Sequence, residues 1–126
     1  MTISTQEELV QKKCAPCEGG VDPCPLDRAK AQIEAIPQWR LSSEGKSISR
    51  TVRLKNFVEA LGLVNRLGEL AEVDAHHPDL HLTGYRFLRI DLTTHAIDGL
   101  SENDFILAAK FDRCIAEYYP NAQALV

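Results

Sequence analysis

The chain has 126 residues, of which 44% are hydrophobic and 25% are charged, the composition of one ordinary globular domain. Its formal net charge of −4 argues against nucleic acid as a partner, because proteins that bind polyanions usually carry an excess of lysine and arginine. No stretch approaches the roughly 20 apolar residues of a membrane-spanning helix, and the polar N-terminus shows no secretory signal. We therefore expect a cytoplasmic protein with reduced cysteines and no membrane partner.

The first 25 residues show little periodicity and contain three of the four cysteines, Cys14, Cys17 and Cys24. Their glycines and prolines indicate irregular backbone rather than a regular element. We therefore predict an irregular, cysteine-bearing arm over residues 1–25 and one domain over residues 26–126. Because the arm is distant in sequence from every other candidate residue, we expect it to be dispensable for chemistry.

The three cysteines of the arm are also candidates for a zinc site or a redox pair. A Cys-x2-Cys pair can direct two thiolates at one ion, but a closed zinc site needs a fourth ligand, and none is obvious nearby. A redox Cys-x-x-Cys normally opens a helix after a strand, which Pro16 and the poor periodicity do not favour. We predict neither a metal site nor a redox role for these residues.

The remaining chain alternates between helical and extended patterns of apolar residues. In chain order, these patterns predict a helix over 26–36, a β-hairpin over 39–55, a helix over 56–74 with Asn56 as its N-cap, an extended segment over 80–94, and a helix from Ser101 to Pro120. Gly84 can divide the extended segment into two strands. The order predicts an α+β fold, a four-stranded antiparallel sheet with helices on one face.

The segment from Glu72 to Asp104 contains all four histidines of the chain: His76, His77, His81 and His95. Isolated histidines are usually surface or capping residues, but here a His-His-Pro sequence lies at a helix-to-strand junction, where scaffolds often place chemistry. A zinc site is the second interpretation. It is disfavoured because adjacent histidines point in different directions, and no pair has the His-x3-His spacing of a helical zinc site.

The third interpretation is acid–base catalysis without a metal, since histidine ionises near neutral pH. Two positive charges about 4 Å apart repel by about 4 kcal/mol at an effective dielectric constant of ~20. A pair of histidines near one substrate would therefore tend to hold one imidazolium as an acid and one imidazole as a base. This division suits an elimination, in which one atom loses a proton while a neighbouring hydroxyl gains one.

The spacing of seven residues in this segment resembles the signature of the pterin-4a-carbinolamine dehydratases. It reads Glu72, three residues, His76-His77-Pro78, six residues, Tyr85, nine residues, His95, eight residues, Asp104. The resemblance implies an α+β fold with a four-stranded antiparallel sheet and assembly into homodimers or homotetramers. It also implies removal of water from a 4a-hydroxytetrahydropterin to give a quinonoid dihydropterin, with no metal and no organic cofactor, in support of tetrahydrobiopterin recycling.

The resemblance also implies roles for particular side chains. His76 and His95 would act as acids toward the 4a-hydroxyl group, His77 would position the substrate, and Glu72 would support the site. Ala75, Thr93 and Thr94 would contact the substrate, the threonines through backbone groups beside the flat pterin ring. Several members of the family have a polar residue at the position of Ala75.

Asp104 has a structural interpretation of its own, because it stands three residues after Ser101 in a capping-box pattern. A different class of function also remains open. Some members of the family serve as dimerisation partners of a transcription factor, and some relatives are associated with molybdenum cofactor metabolism. An exposed apolar helix face would be needed for the partner role, and both long helices could supply one.

Overall fold

An antiparallel sheet covered by helices forms the framework of the computed structural model, which describes residues 3–15 and 22–125. The strands are β1 (Arg40–Leu41), β2 (Ile48–Arg53), β3 (Asp79–Thr83), β4 (Phe87–Leu92) and β5 (Gln123–Leu125). The helices are α1 (Gln6–Gln11), α2 (Leu26–Gln32), α3 (Phe57–Asp74) and α4 (Glu102–Tyr118), with 3-10 turns at Ile33–Ala35 and His95–Ile97. The predicted α+β class is confirmed.

The strand order is β1-β2-β4-β3, and β5 pairs with β2 along the edge that β1 also uses. Every pairing is antiparallel, so the predicted four-stranded sheet is confirmed and gains a short fifth strand. Alternate residues of β2 and β4 are buried and join one hydrophobic core with α3 and α4. Within the described residues, no helix is long and apolar enough to cross a membrane.

Arg50 is the charged residue on the buried face of β2, and it is only 6% exposed. Its Nη1 donates to the Oδ1 atom of Asp112 in α4 at 2.5 Å, and the indole nitrogen of Trp39 donates to the same oxygen at 2.8 Å. A buried ion pair of this kind leaves a costly uncompensated charge if one partner is lost. The interruption of the apolar pattern at Arg50 is therefore a link between the sheet and α4.

The N-terminal segment contains a short helix, so the expectation of irregular backbone over residues 1–25 is wrong for α1. Thr5 begins this helix in a capping box with Glu8, and Leu9 is fully buried in the core. Gln32 of α2 also holds this segment. Its side-chain amide accepts from the backbone N–H of Ser4 at 2.9 Å and donates to the carbonyl oxygen of Ser4 at 2.8 Å. Leu9 is the one fully buried residue of this six-residue helix, which explains why the sequence gave no periodic signal.

Strands β3 and β4 form a hairpin, and the predicted division of the extended segment at Gly84 is confirmed. Gly84 and Tyr85 take φ values of +52° and +56°, which turn the chain back within three residues. The antiparallel register pairs the start of β3 with the end of β4, Asp79 facing Asp91. Residues that precede β3 therefore meet residues that follow β4 at one end of the hairpin.

Helix α3 has the predicted N-cap, since the side chain of Asn56 accepts from the backbone N–H of Glu59 at 2.9 Å. It ends at Ala75, which adopts the left-handed conformation with φ of +51° and ψ of +37°. This turn ends the helix and directs the chain toward His76 and His77. Alanine is a costly residue there, because its Cβ crowds the backbone in this region.

We expect Ala75→Gly to raise the free energy of unfolding by about 0.5–1 kcal/mol, since relief of the left-handed strain exceeds the entropic cost of a new glycine. Ala116→Gly is the matched control, because Ala116 is an exposed residue within α4. That change should lower the free energy of unfolding by roughly 0.5–1 kcal/mol. Denaturant unfolding of both variants measures the difference, and a destabilised Ala75→Gly would contradict the strain argument.

Candidate active site

The end of the β3–β4 hairpin gathers side chains from three elements. His76 and His77 lie in the connection from α3 to β3, and Thr93, Thr94 and His95 follow β4. The first turn of α4 closes the group from a third side. These elements surround a pocket of about 250 Å³, lined by Ala15, Ala75, His76, His77, Thr93, Thr94, His95, Ala96 and Asn103.

A buried carboxylate organises the inner side of this pocket. Asp104 is 0% exposed, and its Oδ1 atom lies 2.6 Å from Nε2 of His76. Its Oδ2 atom accepts from the hydroxyl of Thr94 at 2.8 Å and from the backbone N–H of Ser101 at 3.0 Å. The contact with Ser101 completes the predicted capping box. Three donors thus converge on one carboxylate, which is what a buried charge requires.

The network fixes how His76 presents its ring. A carboxylate only accepts hydrogen bonds, so Nε2 of His76 must carry the proton that Asp104 accepts. The contact with Asp104 leaves the other ring nitrogen, Nδ1, available for a different partner. The side chain is 11% exposed, so the ring is held among protein atoms and has limited freedom to turn. His76 is the most firmly positioned histidine of the group.

His77 and Glu72 form a second pair, at the outer rim. Nε2 of His77 contacts Oε2 of Glu72, and the two side chains are 63% and 75% exposed. They stand five positions apart, because α3 ends between them and the left-handed turn brings His77 back over the last helical turn. Solvent screens this pair, so it orients His77 more than it stabilises the fold.

His95 approaches from the opposite side of the pocket. It opens the 3-10 turn His95–Ile97 and is exposed. An isolated bridge between Thr94 and Gly99 ties down the base of this turn, with the N–H of Thr94 donating to the carbonyl of Gly99 at 2.9 Å. The hydroxyl of Thr93 donates to the carbonyl of Lys46 at 2.6 Å. The backbone beside His95 is thus held on two sides, which gives the pocket a fixed floor.

Six of the seven residues named from the sequence line this pocket, namely Ala75, His76, His77, Thr93, Thr94 and His95. Glu72 does not line it and reaches the site through His77. His81 lies on β3 and contacts Asp91 at 3.1 Å. Tyr85 is 59% exposed at the hairpin turn. A strand of five residues, roughly 16 Å at about 3.3 Å per residue, separates that turn from the pocket.

Sequence reasoning missed Ala15, Ala96 and Asn103 as pocket residues, and it missed the contact between Asp104 and His76. Asp104 was identifiable from the motif, but its capping-box spacing pointed to structure alone. Asn103 and Ala15 carried no local signal, because they meet only in the folded chain. Of the candidate cysteine ligands, Cys17 lies outside the described residues. Within residues 3–15 and 22–125, no group of three histidine, cysteine or acidic side chains has the geometry to hold a metal ion.

Larger cavities lie elsewhere, including one of about 540 Å³ between α3 and α4 lined by residues such as Leu70 and Tyr118. That cavity has no histidine in its wall. Volume alone does not identify a catalytic site, whereas converging titratable groups held by a buried carboxylate give a physical reason for chemistry. The smaller pocket at the hairpin end is therefore the candidate active site.

Comparison with known proteins places these features in a family. The family model described as pterin 4 alpha carbinolamine dehydratase matches residues 22–114. A protein from Methylococcus capsulatus, named provisionally as a pterin-4-alpha-carbinolamine dehydratase, is 42% identical over 109 residues, covering 86% of this chain and 95% of the relative. A protein of the same provisional name from Halorhodospira halophila is 45% identical over 104 residues, covering 82% and 94%.

A solved structure shares the fold. The crystal structure of a transcriptional coactivator/pterin dehydratase from Brucella melitensis aligns with a TM-score of 0.67 at 24% identity, covering 73% of this chain and 97% of that one. The likeness extends over nearly the whole of the solved chain, so the sheet and its helices are common to both. With the family model matching well over half of its length, this chain belongs to the pterin-4-alpha-carbinolamine dehydratase family.

Proposed function

We propose that the protein catalyses loss of water from a 4a-hydroxytetrahydropterin, giving a quinonoid dihydropterin, with His76 and His95 as the acid–base groups. The carrying observation is the position of His76, whose ring is fixed by buried Asp104 in a pocket that His77 and His95 share. Family membership supports the substrate class. The proposed step uses side chains alone and calls on neither a metal nor an organic cofactor.

The elimination breaks the bond between C4a and its hydroxyl oxygen and removes one proton from the neighbouring ring nitrogen. An imidazolium donates its proton to the hydroxyl group, which leaves as water, and a base receives the proton from the ring nitrogen. His76 and His95 approach the pocket from different elements, α3 and β4. Each is therefore suited to protonate the hydroxyl of a different C4a epimer.

The remaining predicted residues position the substrate. His77, braced by Glu72 at the rim, contacts one edge of the pterin. Ala75 supplies a small side chain beside it, and backbone groups of Thr93 and Thr94 face the flat ring system from the floor. Because the floor is tied to Gly99 and Lys46, these groups need little rearrangement on binding, which favours affinity.

Regeneration of tetrahydrobiopterin is the metabolic setting we infer, because the quinonoid product is one reduction away from a tetrahydropterin. The thiols of Cys14, Cys24 and Cys114 are unpaired among the described residues, which supports the cytoplasm as the compartment. A protein that binds pterin tightly without turning it over would instead favour the binding and partner roles. A dehydration assay with a freshly prepared 4a-hydroxytetrahydropterin separates these alternatives.

We expect His76→Ala and His95→Ala each to lower turnover by about 10²–10⁴-fold with one epimer, the usual contribution of a positioned acid or base. His77→Ala should act mainly on substrate binding. His81→Ala is the control, because His81 lies on the outer strand and contacts Asp91 instead of the pocket. Epimer-resolved dehydration kinetics measure all four variants. Full activity of both His76→Ala and His95→Ala on both epimers would refute the assignment.

Asp104→Asn tests the orienting role of the buried carboxylate. The amide has one oxygen and cannot accept from Ser101, Thr94 and His76 together, so the ring of His76 loses its fixed orientation. We expect turnover to fall by about 10²-fold and the free energy of unfolding to fall by about 1–3 kcal/mol.

Asn56→Ala is the control for the effect of a lost helix cap, since Asn56 caps α3 far along the chain from the pocket. It should lower the free energy of unfolding by about 0.5–2 kcal/mol and leave turnover unchanged. Equal turnover of Asp104→Asn and the wild type, with only stability lowered, would show that Asp104 is a cap and nothing more.

We also propose that the chain forms a homodimer or homotetramer. Strand β3 is an outer strand of the sheet, and unpaired strand edges favour pairing with a second copy. Helix α3 adds exposed apolar side chains, Phe57, Val58 and Leu61. Light scattering at micromolar concentration should therefore give at least twice the 14.0 kDa mass of one chain. A single species of 14.0 kDa across the concentration range would contradict the proposal.

A further inference from the structure

We propose that residues 12–15, here called the wall segment, form one side of the pterin pocket, and that Asn103 is the positioning residue that holds it there. The proposal rests on the proposed function and extends it to a part of the chain outside the histidine motif. Its ligand class is the same, a flat bicyclic pterin. The observation behind it is that Ala15 lines the pocket together with His76, His77 and His95.

The side-chain amide of Asn103 forms two hydrogen bonds with the backbone of Ala15, one through its oxygen and one through its nitrogen. The N–H of Ala15 donates to Oδ1 of Asn103 at 3.0 Å, and Nδ2 of Asn103 donates to the carbonyl oxygen of Ala15 at 2.7 Å. Asn103 is 7% exposed, so its amide is held among protein atoms, while Ala15 on the other side of both bonds is exposed. A paired amide contact of this kind fixes the position and the direction of the backbone at Ala15.

Two further contacts align the wall segment with the first turn of α4. The thiol of Cys14 donates to the carbonyl oxygen of Asn103 at 3.5 Å, and Nζ of Lys12 lies 3.1 Å from Oε2 of Glu102. Burial raises the pKa of Cys14 to about 12, so the thiol keeps its proton and remains a donor. The wall segment is therefore held against two residues of the first turn of α4, Glu102 and Asn103.

The same helical turn also carries Asp104, which fixes His76. Asn103 and Asp104 are neighbours, so the wall and the acid–base histidine are set by one rigid element. A pocket wall on this side excludes water and adds contact area to a planar ligand. Releasing the wall should thus weaken pterin binding more than it slows the chemical step.

Asn103→Ala is the main test, because it removes both hydrogen bonds to Ala15. Biopterin is an oxidised, fluorescent pterin that cannot be dehydrated, so it reports binding alone. We expect its dissociation constant and the KM of the substrate each to rise about three- to tenfold. The kcat should stay within about threefold. Fluorescence titration and steady-state kinetics give the two quantities independently.

Gln32→Ala is a matched control, since Gln32 also holds the N-terminal segment by a pair of amide bonds, to the backbone of Ser4. Gln32 is also buried, and it does not line the pocket. It should lower stability to a similar extent and leave both the KM and the biopterin dissociation constant unchanged. Ala15→Pro removes the N–H donated to Asn103 and fixes φ at residue 15, whose own side chain is exposed. It should raise the dissociation constant in the same direction.

The outcomes separate this proposal from the proposed function. Weaker biopterin binding by Asn103→Ala and Ala15→Pro, with Gln32→Ala unchanged, supports the wall even if the wild type shows no dehydration. Unchanged binding by folded Asn103→Ala and Ala15→Pro overturns the wall and leaves the histidine chemistry standing. An equal loss of binding in Gln32→Ala overturns it as well, because general loosening would then explain the effect. Absence of pterin binding by the wild type overturns both.

Discussion

The carboxylate of Asp104 is the group on which the site depends. It is fully buried, and it accepts hydrogen bonds from the start of α4, from the end of β4 and from the connection after α3. A buried charge with three donors is stable only if all three remain in place, because each unpaired group would be expensive. The requirement therefore joins three elements at one point, directly behind two residues that line the pocket, His76 and Thr94.

The antiparallel hairpin supplies the geometry that makes such a junction possible. Because β3 and β4 run in opposite directions, the residues before one and after the other meet at the same end. Two histidines reach that end from the connection after α3, and one reaches it from the 3-10 turn after β4. A pair of imidazoles on separate elements can face the two sides of a flat substrate, whereas neighbours on a single helix would face the same side. The topology thus places the candidate acid–base histidines on separate elements.

The sheet anchor and the candidate site rest on different buried charges. Asp112 in the C-terminal half of α4 pairs with Arg50 of β2 and accepts from Trp39. This contact joins the sheet to the part of α4 that is away from the histidines. Asn103 and Asp104 lie in the first turn of the same helix, where Asn103 lines the pocket and Asp104 contacts His76 and Thr94 behind it. One helix therefore anchors the sheet with one end and organises the candidate site with the other. A displacement of α4 would disturb both the ion pair and the candidate site. The extensive burial of the helix holds it in place.

The sequence by itself determined the regular elements and the residue types of the site. Apolar periodicity identified α3, α4 and the hairpins, and Asn56 and Ser101 marked helix starts, because propensity and capping act between near neighbours. The family resemblance identified six pocket residues, three of which, His76, His77 and His95, belong to the motif itself. Apolar periodicity did not identify α1, because its one fully buried residue, Leu9, forms no repeating pattern. Local chemistry was readable wherever its partners lay within a few positions.

Tertiary structure alone decided which groups meet. His76 and Asp104 stand 28 positions apart, and Ala15 and Asn103 stand 88 apart, so no local pattern could pair them. We expected the N-terminal segment to be dispensable because it is distant along the chain from the motif. In the folded protein, Ala15 of this segment nevertheless lines the pocket. The left-handed turn at Ala75 is likewise imposed by packing, since alanine by itself favours a continuing helix. Side-chain types set the available chemistry, and long-range packing set the geometry in which it acts.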